Sequence, residues 1–125
     1  MRPTDRRRKP RAVKEECTRL HSRIVRHLNP MCECECGLVS TDAAHIISRK
    51  YSLTRTDTDN AYGLAAPCHA LFTVNHGEWM DFVDRTIGRD EYDRLWGKAN
   101  SGSKVDWFDE LDRLRMLADQ VGLTA

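Results

Sequence analysis

The chain has 125 residues, of which 40% are hydrophobic and 31% are charged, a balance typical of one small soluble domain. No apolar run approaches the roughly 20 residues that are needed to cross a membrane. The N-terminus is polar and basic, and it lacks the apolar stretch of a secretion signal. We therefore expect no membrane segment and a cytoplasmic location.

The net charge of +1 hides an uneven distribution along the chain. Residues 1–26 contain ten Lys/Arg and three acids, whereas the remainder carries a net charge of −6. This split favours a basic arm that contacts a polyanion, DNA or RNA, on a more acidic body. The alternative is that Arg6 to Lys9 form a disordered, solubilising tail.

Residues 1–30 read as the basic arm followed by an amphipathic helix. Pro10 suits the first position of a helix, and Pro30 ends it. Apolar residues recur at helical spacing at Val13, Cys17, Leu20, Ile24 and Leu28. Cys17 lies on this stripe and is expected to pack in the core, whereas His21 is expected to be a surface residue or a phosphate contact.

Residues 31–76 show the order strand, loop, strand and helix. A Cys-rich turn is followed by a buried strand over 43–49, a polar loop over 51–59 and a second strand over 62–66. Pro67 then suits the first turn of a helix. Residues 77–125 have helical periodicity, with three tryptophans on the apolar stripes, and form a helical C-terminal extension. The predicted fold class is therefore α+β.

Five cysteines are present, an odd number, and three of them lie within five residues. In a chain without a secretion signal such clustering favours a metal over disulfides. The candidate ligands of a structural zinc are Cys32, Cys34, Cys36 and Cys68. A one-residue spacer is tight for two ligands of one zinc, so free thiols are the alternative.

A further group of residues has the pattern of a hydrolytic site. His45 lies in a short apolar run, Asn60 follows a polar turn, and Cys68-His69 opens the predicted helix. Histidine is the side chain that can most readily accept a proton at neutral pH. In this order the residues resemble the HNH nucleases, which use a ββα-metal core and one divalent metal to cut phosphodiesters.

The resemblance implies a role for each residue. His45 would be the general base, with its second ring nitrogen held by a backbone carbonyl near Asn60. His69 would bind the catalytic Mg²⁺ or Mn²⁺. Asp42 and His76 are candidates for a second ligand, although strand alternation puts Asp42 on the face opposite His45, so that a bend or bulge would be needed.

One arginine fits the HNH pattern, and two alanines depart from it. Arg49 lies farther along the same strand and could hold a phosphate, or it could be a simple surface arginine. Ala44 stands where many HNH proteins have Asp or His. Ala65 stands where the second zinc knuckle would have a cysteine.

Beyond this core the chain is similar to the phage NinG (Rap) recombination endonucleases. The similarity rests on Asp42 to His45, Ser48-Arg49, Cys68-His69 and the tail from Gly77-Glu78 to Glu110-Leu111, and it covers residues 31–117. It implies cleavage of branched DNA recombination intermediates in the bacterial cytoplasm. His69, where those proteins often have Asn, and the short basic N-terminus depart from their pattern.

Three functions follow as hypotheses. The first is a metal-dependent DNA endonuclease, for which symmetrical cutting of a junction would favour a homodimer. The second is a non-catalytic, zinc-stabilised DNA-binding module with a decayed HNH site, which Ala44 supports. The third is a protein-interaction adaptor, which is supported only by the acidic helical tail.

Overall fold

A computed structural model describes residues 5–123 and arranges them as six α-helices and one two-stranded antiparallel sheet. In chain order the elements are α1 (Pro10–Leu28), β1 (Asp42–His45), α2 (Ser52–Arg55), β2 (Ala61–Leu64), α3 (Ala66–Val74), α4 (His76–Thr86), α5 (Gly88–Ala99) and α6 (Trp107–Gln120). Short 3₁₀ turns cover Asp5–Arg7 and Thr58–Asn60. The α+β class predicted from the sequence is confirmed.

Helix α1 follows the predicted stripe closely. Pro10 occupies its first turn, where no intrahelical N–H bond is lost. Val13, Cys17 and Ile24 are fully buried, whereas Leu28, at the end of the helix, is 48% exposed.

The two strands pair in an uninterrupted register from Asp42 opposite Leu64 to His45 opposite Ala61. The predicted first strand is too long, because β1 ends at His45. Beyond that point the backbone of Ile47 bonds to a side chain and not to the ladder. The polar segment predicted as a loop is only partly irregular, since it contains α2 and a 3₁₀ turn.

Two apolar clusters hold the chain together. The first surrounds the sheet and consists of Cys32, Ala44, Ile46, Ile47, Tyr62, Leu64, Ala65, Phe82, Val83 and Leu95. The second lies between α1 and α6 and consists of Val13, Cys17, Ile24, Leu111, Leu114 and Ala118. The C-terminal helices therefore belong to different clusters. Helices α4 and α5 pack on the sheet, whereas α6 packs on α1. The three tryptophans on the apolar stripes pack against these clusters and are half-buried.

The described part of the basic arm contacts this chain's own acids. Arg6 Nη2 lies 3.1 Å from Asp109 Oδ1, and its guanidinium stands 5.0 Å from the centre of the Phe108 ring. Arg8 Nη1 lies 2.8 Å from Glu16 Oε1. Two arginines of the arm are thus engaged on the surface of α1 and α6.

Gly63 is the point where β2, the end of α1 and the Cys-rich turn meet. A Cβ atom at this position would lie 2.8 Å from the carbonyl oxygen of Asn29, closer than real contacts allow. The N–H of Gly63 also donates to Glu33 Oε2 (2.7 Å), and its carbonyl accepts from the N–H of Glu33 (2.9 Å). The close approach therefore requires glycine.

We expect Gly63→Ala to lower the free energy of unfolding by about 1–3 kcal/mol, because the added methyl group must push two backbone segments apart. Gly97→Ala is the matched control. Gly97 lies within α5 with open space around its Cα, so the same change should raise the free energy of unfolding by up to about 1 kcal/mol. Urea unfolding at a fixed zinc concentration measures both. Equal effects of the two substitutions would contradict the proposed role of Gly63.

Candidate functional site

Asn60 fastens the segment between the two strands with three side-chain hydrogen bonds. Its Oδ1 accepts from the N–H of Ile47 (2.7 Å), and its Nδ2 donates to the carbonyls of Ile47 and Thr54 (both 3.0 Å). The side chain is fully buried, so these bonds satisfy polar groups that have no access to water. Asn60 therefore holds in place the backbone of the segment that follows His45.

His45 stands at the end of β1 with one ring nitrogen bound to the backbone. Its Nε2 lies 2.8 Å from the carbonyl oxygen of Arg55. Because a carbonyl only accepts, Nε2 carries the proton in the neutral ring and Nδ1 keeps its lone pair. Burial lowers the pKa of His45 to about 4, against the opposing effect of the Arg55 carbonyl, and the neighbouring His21 contributes further. The ring is thus neutral at pH 7 and able to accept a proton.

Asp42 and His69 meet across the interface between β1 and α3. Asp42 Oδ2 lies 2.9 Å from His69 Nδ1, and both side chains remain about one-third exposed. The β1 ladder is regular from end to end, so the bend or bulge thought necessary for Asp42 is not required for this contact. Helix α3 begins at Ala66 with Pro67 as its second residue, which places His69 at the end of the first turn.

A pocket of about 230 Å³ brings the predicted histidines together. It is lined by Ala44, His45, His69, Phe72, Thr73, His76 and Trp79. His76 is exposed at the start of α4. Three imidazoles from β1, α3 and α4 therefore share one water-accessible cavity, and the carboxylate of Asp42 touches one of them.

Arg49 is not among the residues that line this pocket. Its side chain is exposed, and its carbonyl accepts from Arg55 Nη1 at 3.2 Å. It lies close enough to His45 to help keep the pKa of that ring low. The structure thus places Arg49 outside the lining of the pocket.

The four candidate zinc ligands converge in a second cluster. The Sγ atoms of Cys32, Cys34, Cys36 and Cys68 all lie within 4.8 Å of one another. The one-residue spacers are compatible with this because Glu35 and Gly37 adopt left-handed backbone conformations, with φ of 65° and 86°. These curl the turn so that alternate side chains reach one point. Cys68 is supplied by α3, immediately before His69.

The cysteine cluster has the donor set of a structural zinc site. Sγ–Sγ distances are 3.0 Å for Cys34–Cys68, 3.2 Å for Cys32–Cys34 and 3.5 Å for Cys36–Cys68. Tetrahedral Zn–S bonds of 2.3 Å would separate the sulfurs by about 3.8 Å, so shifts of less than 1 Å suffice. The N–H of Leu38 lowers the pKa of Cys36 to about 7, whereas burial raises the pKa of Cys34 and the hydrogen bond to Cys34 raises the pKa of Cys68, so Cys36 is the thiol that most readily forms the metal-binding thiolate. The cluster could therefore hold a structural metal such as zinc.

Cys17 is chemically separate from this cluster. Its thiol is buried on α1 and donates to the carbonyl of Trp107 at 3.4 Å. Burial, together with the nearby Glu110 and Glu16, raises its pKa to about 12. The prediction that Cys17 packs in the core is confirmed.

His21 is the residue near the site that the sequence interpretation placed wrongly. It was expected at the surface, but it is fully buried and its ring centroid lies 5.2 Å from that of His45. The signal was available, because position 21 lies four residues after Cys17 and three before Ile24 on the apolar stripe of α1.

No helix in the described part of the chain is long and apolar enough to cross a membrane. No family model matches this chain, and no curated protein or solved structure matches it.

We expect one zinc per chain in protein that is purified without chelator. Cys34→Ser should abolish zinc binding, because three thiolates remain where four complete the tetrahedron. Cys17→Ala is the matched control and should keep the metal. Elemental analysis gives the zinc content, and thermal unfolding with and without EDTA shows whether the metal stabilises the fold. A folded, zinc-free wild-type chain would rule out the site.

Proposed function

We propose that this chain is a metal-dependent DNA endonuclease of the HNH type, with its active site in the pocket between β1, α3 and α4. The observation that carries the proposal is the shared pocket of His45 and His69, with Asp42 bound to His69. A base and a carboxylate–imidazole pair are the groups that metal-assisted hydrolysis of a phosphodiester needs.

His45 is proposed as the general base. Its Nε2–H bond to the Arg55 carbonyl fixes the neutral tautomer. Nδ1 is then the nitrogen that takes a proton from the attacking water. The low pKa of the ring keeps this nitrogen unprotonated at physiological pH.

Asp42 and His69 are proposed to hold a divalent cation such as Mg²⁺ or Mn²⁺. Cis ligands of an octahedral cation with bonds of about 2.1 Å are separated by about 3.0 Å, close to the 2.9 Å between Asp42 Oδ2 and His69 Nδ1. Alternatively, Asp42 could orient the ring so that His69 binds through Nε2. His76 lines the same pocket, but its ring nitrogens are not gathered with those of Asp42 and His69 into a three-ligand group within the described residues, so its ring would have to turn inward to add a third ligand. A bound cation would supply Lewis-acid stabilisation of the charge on the phosphate.

DNA is proposed as the substrate on the basis of the chain's basic residues. Arg49 and Lys50 are exposed in the segment between β1 and α2, and the N-terminal 26 residues carry a net charge of +7. Such residues can contact phosphates without reading sequence. A preference for branched recombination intermediates and a dimeric enzyme remain proposals that rest on the resemblance to the NinG family.

One observation favours the second candidate function, a non-catalytic zinc-stabilised DNA-binding module. Ala44 offers no ligand on the strand next to His45, so the cation would depend on Asp42, His69 and His76. The cysteine cluster would remain as a purely structural centre in such a module.

We expect the wild-type chain to nick supercoiled plasmid in Mg²⁺ or Mn²⁺, and His45→Ala to lower the rate by about 10²- to 10⁴-fold, the usual cost of losing a general base. His27→Ala is the matched control. His27 is exposed on α1 and bonds to the carbonyl of Val121 (2.8 Å), away from the pocket, so its loss should leave the rate unchanged.

DNA retention over a range of salt concentrations, measured on the same preparations, completes the test. His45→Ala should bind DNA as the wild type does. Unchanged cleavage by this variant would remove His45 from the mechanism. A wild-type chain that holds zinc and DNA but never nicks would favour the binding module.

A further inference from the structure

His21 lies directly behind His45, on the inner face of α1. Its side chain is fully buried, and the two ring planes are inclined at 36° with centroids 5.2 Å apart. Its Nε2 lies 3.0 Å from the carbonyl oxygen of Asp57. His21 does not line the pocket that contains His45 and His69.

The two imidazoles bind the same short stretch of backbone. His45 donates from Nε2 to the carbonyl of Arg55, and His21 donates from Nε2 to the carbonyl of Asp57, two residues later. From α6, Arg113 Nη2 donates to the carbonyl of Thr56 (3.2 Å), between these two acceptors. Residues 55–57 are therefore held from both sides by α1 and α6, and the carbonyl that orients His45 belongs to this stretch.

The second ring nitrogen of His21 is left without a partner. Nδ1 is buried and has no hydrogen bond among residues 5–123. A lone pair that is removed from water without a partner destabilises the fold, and burial lowers the pKa of His21, so the ring stays neutral. Phenylalanine would fill similar space without this cost. What histidine adds at this position is the Nε2–H donor to Asp57.

We propose that His21 is a positioning residue for His45: by holding residues 55–57 and packing against the His45 ring, it keeps the Nε2–H···Arg55 bond in place. This inference rests on the proposed function, in which His45 is the base. His21 acts through the backbone and does not touch the substrate.

Two substitutions of His21 distinguish the role of its N–H donor from the role of its ring as a packing group. His21→Phe keeps a planar ring against His45 and removes the donor to Asp57. His21→Gln carries an amide N–H near the position of Nε2 and should restore the bond. The matched control is His27→Phe, which removes an equivalent imidazole–carbonyl bond, to Val121, from the exposed side of the same helix.

In kinetics, we expect His21→Phe to lower kcat by about 10- to 100-fold, the cost of a small misplacement of a catalytic group, with KM unchanged. His21→Gln should recover most of this loss, and His27→Phe should match the wild type. The thermal stability of His21→Phe should change little, since the lost bond to Asp57 is offset by the removal of a buried unpartnered nitrogen. If the kcat of His21→Phe equals that of His27→Phe, the proposal is overturned.

Imidazole ¹⁵N NMR measures the tautomer of His45 directly and requires no DNA cleavage. His45 should be protonated on Nε2 in the wild type and in His21→Gln, and should become a mixture of tautomers in His21→Phe. An unchanged His45 tautomer in His21→Phe overturns the positioning role even if kcat falls. A changed tautomer in a chain that never cleaves DNA upholds the positioning role and removes the proposed function. If His21→Phe does not fold, His21→Asn, whose side chain is too short to reach Asp57, takes its place with the same expected fall in kcat and change of the His45 tautomer.

Discussion

The buried carboxamide of Asn60 is the contact on which the candidate site depends. It bonds both polar groups of Ile47 and the carbonyl of Thr54, and so closes the insert between the strands at both ends. Arg55, whose carbonyl orients His45, lies inside that insert. Loss of the Asn60 side chain would leave the buried polar groups of Ile47 and Thr54 without hydrogen-bond partners. Each such group costs about 1–3 kcal/mol of stability. A buried residue that does not line the pocket thereby helps to set the geometry of the proposed base.

The first turn of α3 links the two candidate metal centres. Cys68 belongs to the thiol cluster and His69, the next residue, bonds to Asp42. A structural metal would therefore fix the start of the helix that presents His69. In so small a domain a metal can supply stability that the two modest cores do not provide alone. Binding of the structural metal would then both stabilise the fold and fix the position of His69 in the pocket.

The sequence predicted what depends on periodicity and composition. The stripe of α1, the strand–strand–helix order and the grouping of four cysteines all follow from residue spacing. What it missed depends on tertiary contacts: Asp42 reaches His69 from a regular strand, and the left-handed Glu35 lets cysteines with one-residue spacers converge. His21 was misplaced because its polar side chain outweighed its position on the apolar stripe. The proposed endonuclease function rests on the resemblance to HNH nucleases together with this geometry.

Binding of Mn²⁺ followed by NMR tests the central claim, that β1 and α3 form a cation site beside a histidine base. In the zinc-loaded chain, the imidazole signals of His69 and His45 should broaden first, and excess Mg²⁺ should reverse the broadening. Asp42→Asn should weaken the effect while leaving the zinc content unchanged. Broadening that spreads over surface acids, with the pocket signals intact, would contradict the account.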